Sequence, residues 1–236
     1  EAVDVFDRLR QVVGRFTLWA HQETGNELTF HRDRAVRAWA RDHGIAVHEA
    51  RQHGVVRGPL NRDGWAKQWR AFMDEDAVPP PDSLRPVPVR PGPIPTVRDL
   101  PIQPTAHEAL QDGGEAAAHR TLRTFLYKRG RRYRREMSSP LTAFTSCSRI
   151  SPHLCWGTIS VRTVRNASAD RREALRSLPK AEARDWRKSL SSFESRLHWN
   201  GHFIQKLESA PRIEHESFIP AFDRLREDAF DDERYQ

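Results

Sequence analysis

The stretch Ser146-Cys147-Ser148-Arg149-Ile150-Ser151-Pro152-His153-Leu154-Cys155-Trp156-Gly157 decides how the chain is read. Ser-Pro ahead of an apolar run is a helix start. Ser151 is expected as the N-cap and Pro152 as the first helical residue, where a missing N–H costs nothing. Ser148, Arg149 and Ser151 then gather hydroxyls and a guanidinium around free backbone amides, which suits an anion and phosphate above all. Many Ser-x-x-Ser-Pro segments cap a helix without any ligand, so the residues alone leave both a cap and an anion site open.

After this stretch the pattern is helical. One helix is expected from Pro152 into Thr158–Asn166. A longer one, about Ala181 to Leu207, carries Trp186, Leu190, Phe193, Leu197, Ile204 and Leu207 along one seam. Asn200 is expected on that seam beside Gly201, as the mark of a ligand cavity or of close backbone approach, with a locally hydrogen-bonded core Asn as the other reading. Before the stretch, Ala118, Leu122, Phe125 and Leu126 form a stripe from Gly114 onward, and Lys128–Arg135 is a basic turn that carries Tyr133.

The front of the chain has a different grammar. Residues 4–13 read as a helix and Phe16–Ala20 as a buried strand. Leu28–His43 reads as an amphipathic helix with Val36, Trp39 and Ala40 on one face, and Ile45–His48 as the next parallel strand. A helix from Trp65 to Met73 follows. Helix–strand–helix–strand is the order of a doubly wound α/β domain. Ten of the 16 prolines lie between Pro79 and Pro104, which excludes helix and central strand and suits an extended connector, with disorder as the other reading.

Thirty-nine Lys and Arg against 32 Asp and Glu give the 236 residues a net charge of +7, which fits a polyanionic partner. The pI is near 10.0 and the mean hydropathy -0.76. Cys147 and Cys155, the 2 cysteines, give neither a disulfide framework nor metal-type spacing, and imply a reducing compartment. No apolar run is long enough for a membrane helix. A cytoplasmic monomer is expected. His198 and His202 have the spacing of a metal pair on a helix, but no third ligand is evident, so no metal site is expected.

Ser148-Arg149-Ile150-Ser151-Pro152-His153-Leu154, followed by Gly157 and Ile159-Ser160-x-Arg162, resembles the phosphate-loop signature of the photolyase/cryptochrome family, bacterial branch. Glu23–Asn26, Arg32–Arg34, His53–Arg57, Arg62–Trp65 and Gly113–Ala117 match in the same order, so the resemblance covers nearly the whole chain. It implies an α/β plus all-α fold: a partial Rossmann-like doubly wound domain followed by part of the helical FAD-binding domain of photolyases. The expected division is residues 1–76 for the end of the α/β (antenna) domain, 77–106 for the Pro-rich linker and 107–236 for the start of the helical domain. The chain is accordingly expected to be an internal fragment of a longer protein and itself inactive, with further flavin contacts and electron-relay tryptophans lying beyond it.

The resemblance implies a flavoprotein lyase that uses blue light and FAD to open pyrimidine dimers in UV-damaged DNA. A folate- or deazaflavin-type antenna chromophore is the accessory; no antenna residue is assigned. Tyr133 stands where the family places a tyrosine against FAD. Cys147, Ser148, Arg149, Ile150 and Ser151 stand at the phosphate loop, with Cys147 replacing the usual Thr. Trp199 matches the tryptophan that stacks on the lesion. Arg196 replaces the Glu usual in cyclobutane repair enzymes, and Asn200 follows Trp199 where Arg is usual. A cation with donors only cannot take over a carboxylate's role. A cryptochrome-like photoreceptor that binds FAD without repair is therefore the alternative, and a dark nucleic-acid binder on the same scaffold a more distant one.

Overall fold

A computed structural model describes residues 1–58, 60, 62–76, 78–84, 88–101 and 110–223. Helix α1 (Ala2–Val13) leads into strand β1 (Thr17–His21), helix α2 (Glu27–Asp42) and strand β2 (Ala46–Ala50). The strands pair in parallel, with Leu18 opposite Val47 and Trp19 opposite His48. Asn26 caps α2 by accepting the Thr29 amide at 3.1 Å, and His43-Gly44 ends it, Gly44 having a φ of 63°.

One face of this sheet is covered. Leu18 and Val47 turn toward Trp39, Ala40 and Ile45, with Val3, Phe6 and Phe16 closing the cluster. The opposite face is bare among the described residues. There Trp19 stacks on His48 at 4.3 Å between centroids and stays 74% exposed. The strand expected to be buried is covered on one face only, where Leu18 is half-buried. A β–α–β unit with a two-stranded parallel sheet is what the described residues hold of the expected Rossmann-like layer.

Helix α3 (Arg62–Asp74) buries Trp65, Trp69, Phe72 and Met73. Residues 78–84 and 88–101 are exposed, and their one ordered turn, Val97–Asp99, is closed by Thr96 and Asp99 capping each other. The remaining positions of the expected 77–106 connector lie outside the described residues, as do residues 224–236 of the expected helical domain.

Helix α4 (Glu115–Tyr127) buries the stripe Ala118, Leu122, Phe125 and Leu126. A 3-10 turn (Arg129–Arg132) and the short helices α5 (Tyr133–Glu136), α6 (Ala143–Ser146) and α7 (Ser151–Cys155) follow, then α8 (Val161–Ala174) and α9 (Lys180–Ser209). The single helix expected after Pro152 is two. Gly157, at a φ of 66°, ends the first, and Ser160 starts the second by accepting the Thr163 amide at 3.0 Å. Phe125, Tyr133, Ile150, Val164, Trp186, Leu190, Phe193 and Leu197 meet in the main core. The structure is mostly helical, and among the described residues no helix is long and apolar enough to cross a membrane.

Named contacts tie α9 and α8 to the earlier part of the chain. Gln205 pairs with both polar groups of Val56, accepting its N–H at 2.7 Å and donating to its carbonyl at 2.8 Å. Arg162 donates to the Phe72 carbonyl at 2.7 Å and Arg165 to that of Met73 at 3.0 Å, capping the end of α3. Gly54 and Gly201 both close on the Cδ1–Nε1 edge of Trp69.

Candidate functional site

The Cys147–Ser151 loop is held from behind by Arg129. That guanidinium donates to the carbonyls of Cys147, of Ser148 at 2.6 Å and of Thr121 at 3.1 Å. Gln111 takes the next carbonyl, that of Arg149, at 2.8 Å. In a trans peptide C=O and N–H point opposite ways, so the amides of Ser148, Arg149 and Ile150 turn away from these donors. Arg149 adopts a φ of 54°, unusual for a side-chain-bearing residue, and its guanidinium lies 4.7 Å from the Phe144 ring centroid. Ile150, buried in the core, anchors the loop.

Ser151 is not the N-cap. Ile150 occupies that position with a φ of -89° and a ψ of -13°, Ser151 is the first helical residue, and no side chain caps α7. The backbone turns in before Ser151, which leaves its hydroxyl exposed at the mouth of the loop. His153 is buried behind it, with Nδ1 3.1 Å from the Thr158 hydroxyl and no partner for Nε2 among the described residues.

Cys147 is half-buried, its Sγ 3.8 Å from the Met137 carbonyl. Burial pushes the thiol's pKa up, against the pull of Arg129 and Arg149, so it stands as a neutral thiol near pH 7. Tyr133 packs edge-on to Phe125 at 5.4 Å and to Phe193 at 6.1 Å, a buried support under the loop. Burial raises its phenol pKa; Cys147 adds to this and Arg196 opposes it. Cys147 on the loop and Arg196 on α9 are therefore each within electrostatic reach of Tyr133 on α5.

On the outer face of α9 the Arg196 guanidinium lies 4.4 Å from the centroid of the Trp199 ring, which is 47% exposed. Phe203 meets Trp199 edge-on at 6.2 Å. Asn200 is exposed, not on the seam. Buried positions 186, 190, 193 and 197 advance by four, three and four; a further step of three would reach Asn200, but the seam takes a second step of four and buries Gly201. An added Cβ there would stand 2.9 Å from Trp69 Nε1, so the close approach belongs to Gly201.

His198 and His202 face the ring of Trp65, at 4.6 Å and 5.8 Å, and the described residues hold no metal-binding cluster. Sequence reasoning missed Arg129 as the loop's anchor and Gln205 as the clasp on Val56. Arg129 sits in a run of like residues, and only its place ahead of Gly130 hinted at a difference. Gly130 is packed so tightly that a Cβ would stand 2.5 Å from the Phe125 carbonyl.

No protein-family model matches the chain. It is 30% identical over 216 residues to the deoxyribodipyrimidine photo-lyase of Halobacterium salinarum (strain ATCC 700922 / JCM 11081 / NRC-1), an alignment that covers 85% of this chain and 43% of that relative. This similarity supports membership of a photolyase-like family. The chain spans less than half the length of this photo-lyase.

Proposed function

We propose that the protein uses blue light and bound FAD to open pyrimidine dimers in UV-damaged DNA, as a carbon–carbon lyase. The observation that carries this is the pairing of two surfaces in one photolyase-like chain. One is a loop whose carbonyls are pinned back by Arg129 and Gln111, and the other is an exposed tryptophan, Trp199, on the neighbouring helix. The α/β part, connector and helical part are proposed at 1–76, 77–106 and 107–236, with an accessory folate- or deazaflavin-type antenna.

The donor set fits the diphosphate of FAD. The amides of Ser148, Arg149 and Ile150 point away from Arg129 and Gln111, and Ser151 is exposed in the first turn of α7. Bound reduced flavin would supply an electron on excitation and take it back, so that opening of the dimer's cyclobutane ring is redox-neutral.

The residues of this chain bind and position. Cys147, Ser148, Arg149, Ile150 and Ser151 would hold the diphosphate, and Tyr133 would support the loop from the core. Trp199 would stack on the extruded pyrimidines, worth about 1–3 kcal/mol per base. Arg196 would hold Trp199 in place and bring positive charge to the strand; Asn200 would offer an amide at the same surface.

The test is light-dependent restoration of UV-irradiated DNA by the protein from its complete reading frame. Repair under blue light and none in the dark is expected. Flavin-bound protein that is photoreduced yet repairs nothing would move the assignment to a photoreceptor.

A further inference from the structure

We propose that the cleft between α3, α8 and α9 is a second anion site, which takes a small ligand carrying two or more adjacent phosphate groups. The inference does not rest on the photochemical reading.

The cleft encloses about 720 Å³, within the size range of nucleotide-sized ligand sites. Its walls carry the guanidiniums of Arg70, Arg165, Arg172, Arg176 and Arg187. Its carboxylates, Glu173 and Glu194, are already engaged. Glu194 accepts from Arg172 at 2.7 Å and from Ser168 at 2.9 Å, and Glu173 from Arg176 at 2.9 Å.

Among the described residues, Arg70 and Arg187 pair with no carboxylate. Arg70 donates through Nε to the Ala66 carbonyl of its own helix at 3.1 Å, and Arg187 through one terminal nitrogen to the Leu175 carbonyl at 3.0 Å. Each is tethered by one bond and has further N–H groups for a ligand. A planar fork of donors matches phosphate oxygens two at a time, and adjacent phosphates use several forks at once. Trp69, Ala169 and Leu197 supply an apolar floor.

The cleft is separate from the surface described above. At 100° per residue, Glu194 and Leu197 point from α9 roughly 160° away from Arg196 and Trp199. A DNA strand lying on Trp199 would not reach it.

The experiment is calorimetric titration of the purified chain with inorganic pyrophosphate and with ATP, repeated on Arg70→Gln and Arg187→Gln. Saturable binding of one equivalent is expected, weakened about tenfold by either substitution. Arg131→Gln, on the exposed basic turn, should leave it unchanged. Glu173→Gln should tighten binding by removing a carboxylate, and it keeps the test decisive if an arginine variant misfolds. Tighter binding of ATP than of pyrophosphate would assign the ligand as a nucleotide; equal affinity would assign it as a bare phosphate chain. Three results would overturn the proposal: no heat with either compound, binding indifferent to Arg70 and Arg187, or an arginine-dependent affinity for duplex DNA alone.

Discussion

Arg196 lies over Trp199, its Cζ 4.4 Å from the ring centroid, three residues earlier on the same helix. The pair leaves one side of an exposed indole covered by a cation, which positions the ring and brings positive charge beside it. Exposed cation–π contacts of this kind are worth about 0.5–1 kcal/mol. Trp199→Ala should weaken binding to UV-irradiated DNA by about 1–3 kcal/mol, roughly 5- to 150-fold. Arg196→Ala should cost less. Fluorescence anisotropy with irradiated and unirradiated duplexes measures both, and equal loss on the two duplexes would remove Trp199 from lesion recognition.

Arg129 serves three carbonyls at once, on α4 and on the loop. Arg129→Met leaves them without this donor and should cost about 2–3 kcal/mol in urea unfolding. Arg129→Lys should recover little, because an ammonium lacks the planar fork that reaches across the loop. The same variants should lose flavin during gel filtration of the complete protein.

Trp69 is clamped. A Cβ at Gly54 would stand 2.4 Å from Trp69 Cδ1, and one at Gly201 would stand 2.9 Å from Nε1. Gly54→Ala should destabilise by about 1–3 kcal/mol through overpacking. Gly201→Ala should cost less, since a helix gains about 1 kcal/mol from Gly to Ala. Thermal melts read both. In a Trp69→Ala background the penalties should largely vanish.

Stability should fall on mild acidification. Burial holds the imidazoles of His53 and His198 below the usual histidine value of 6.5. Arg51 and His21 deepen the shift at His53, against Glu23; His202 and Arg70 deepen it at His198. Above 6.5 both states are neutral and nothing is gained. Below it the unfolded chain takes up protons first, so stability drops until pH passes the lowered folded values. Melting temperatures between pH 8 and 5 should show this, and His53→Gln should flatten the profile.

Much of the helical part was legible because its stripes are long and regular. Leu122, Phe125 and Leu126 on α4 and Trp186 to Leu197 on α9 keep helical spacing and are all buried. The sheet was legible in order but not in burial, because alternation in five-residue strands does not tell one covered face from two. Asn200 misled because the alternating steps of four and three along α9 point to it, whereas the buried seam takes steps of four from Phe193 onward and so passes through Gly201. Ser151 misled because Ser-Pro fits the N-cap and the first helical turn equally well. The pairings of Gln205 with Val56 and of Arg129 with the loop bridge sequence separations that no local pattern records.

The central claim is that the Cys147–Ser151 loop serves a photoactive flavin. The direct measurement is the absorption spectrum of the protein purified from its complete reading frame, in the dark and after blue light. Oxidised-flavin bands that bleach to the reduced form under illumination are predicted, with Ser148→Ala and Arg129→Met lowering the flavin content. A folded protein without flavin absorption would contradict the account.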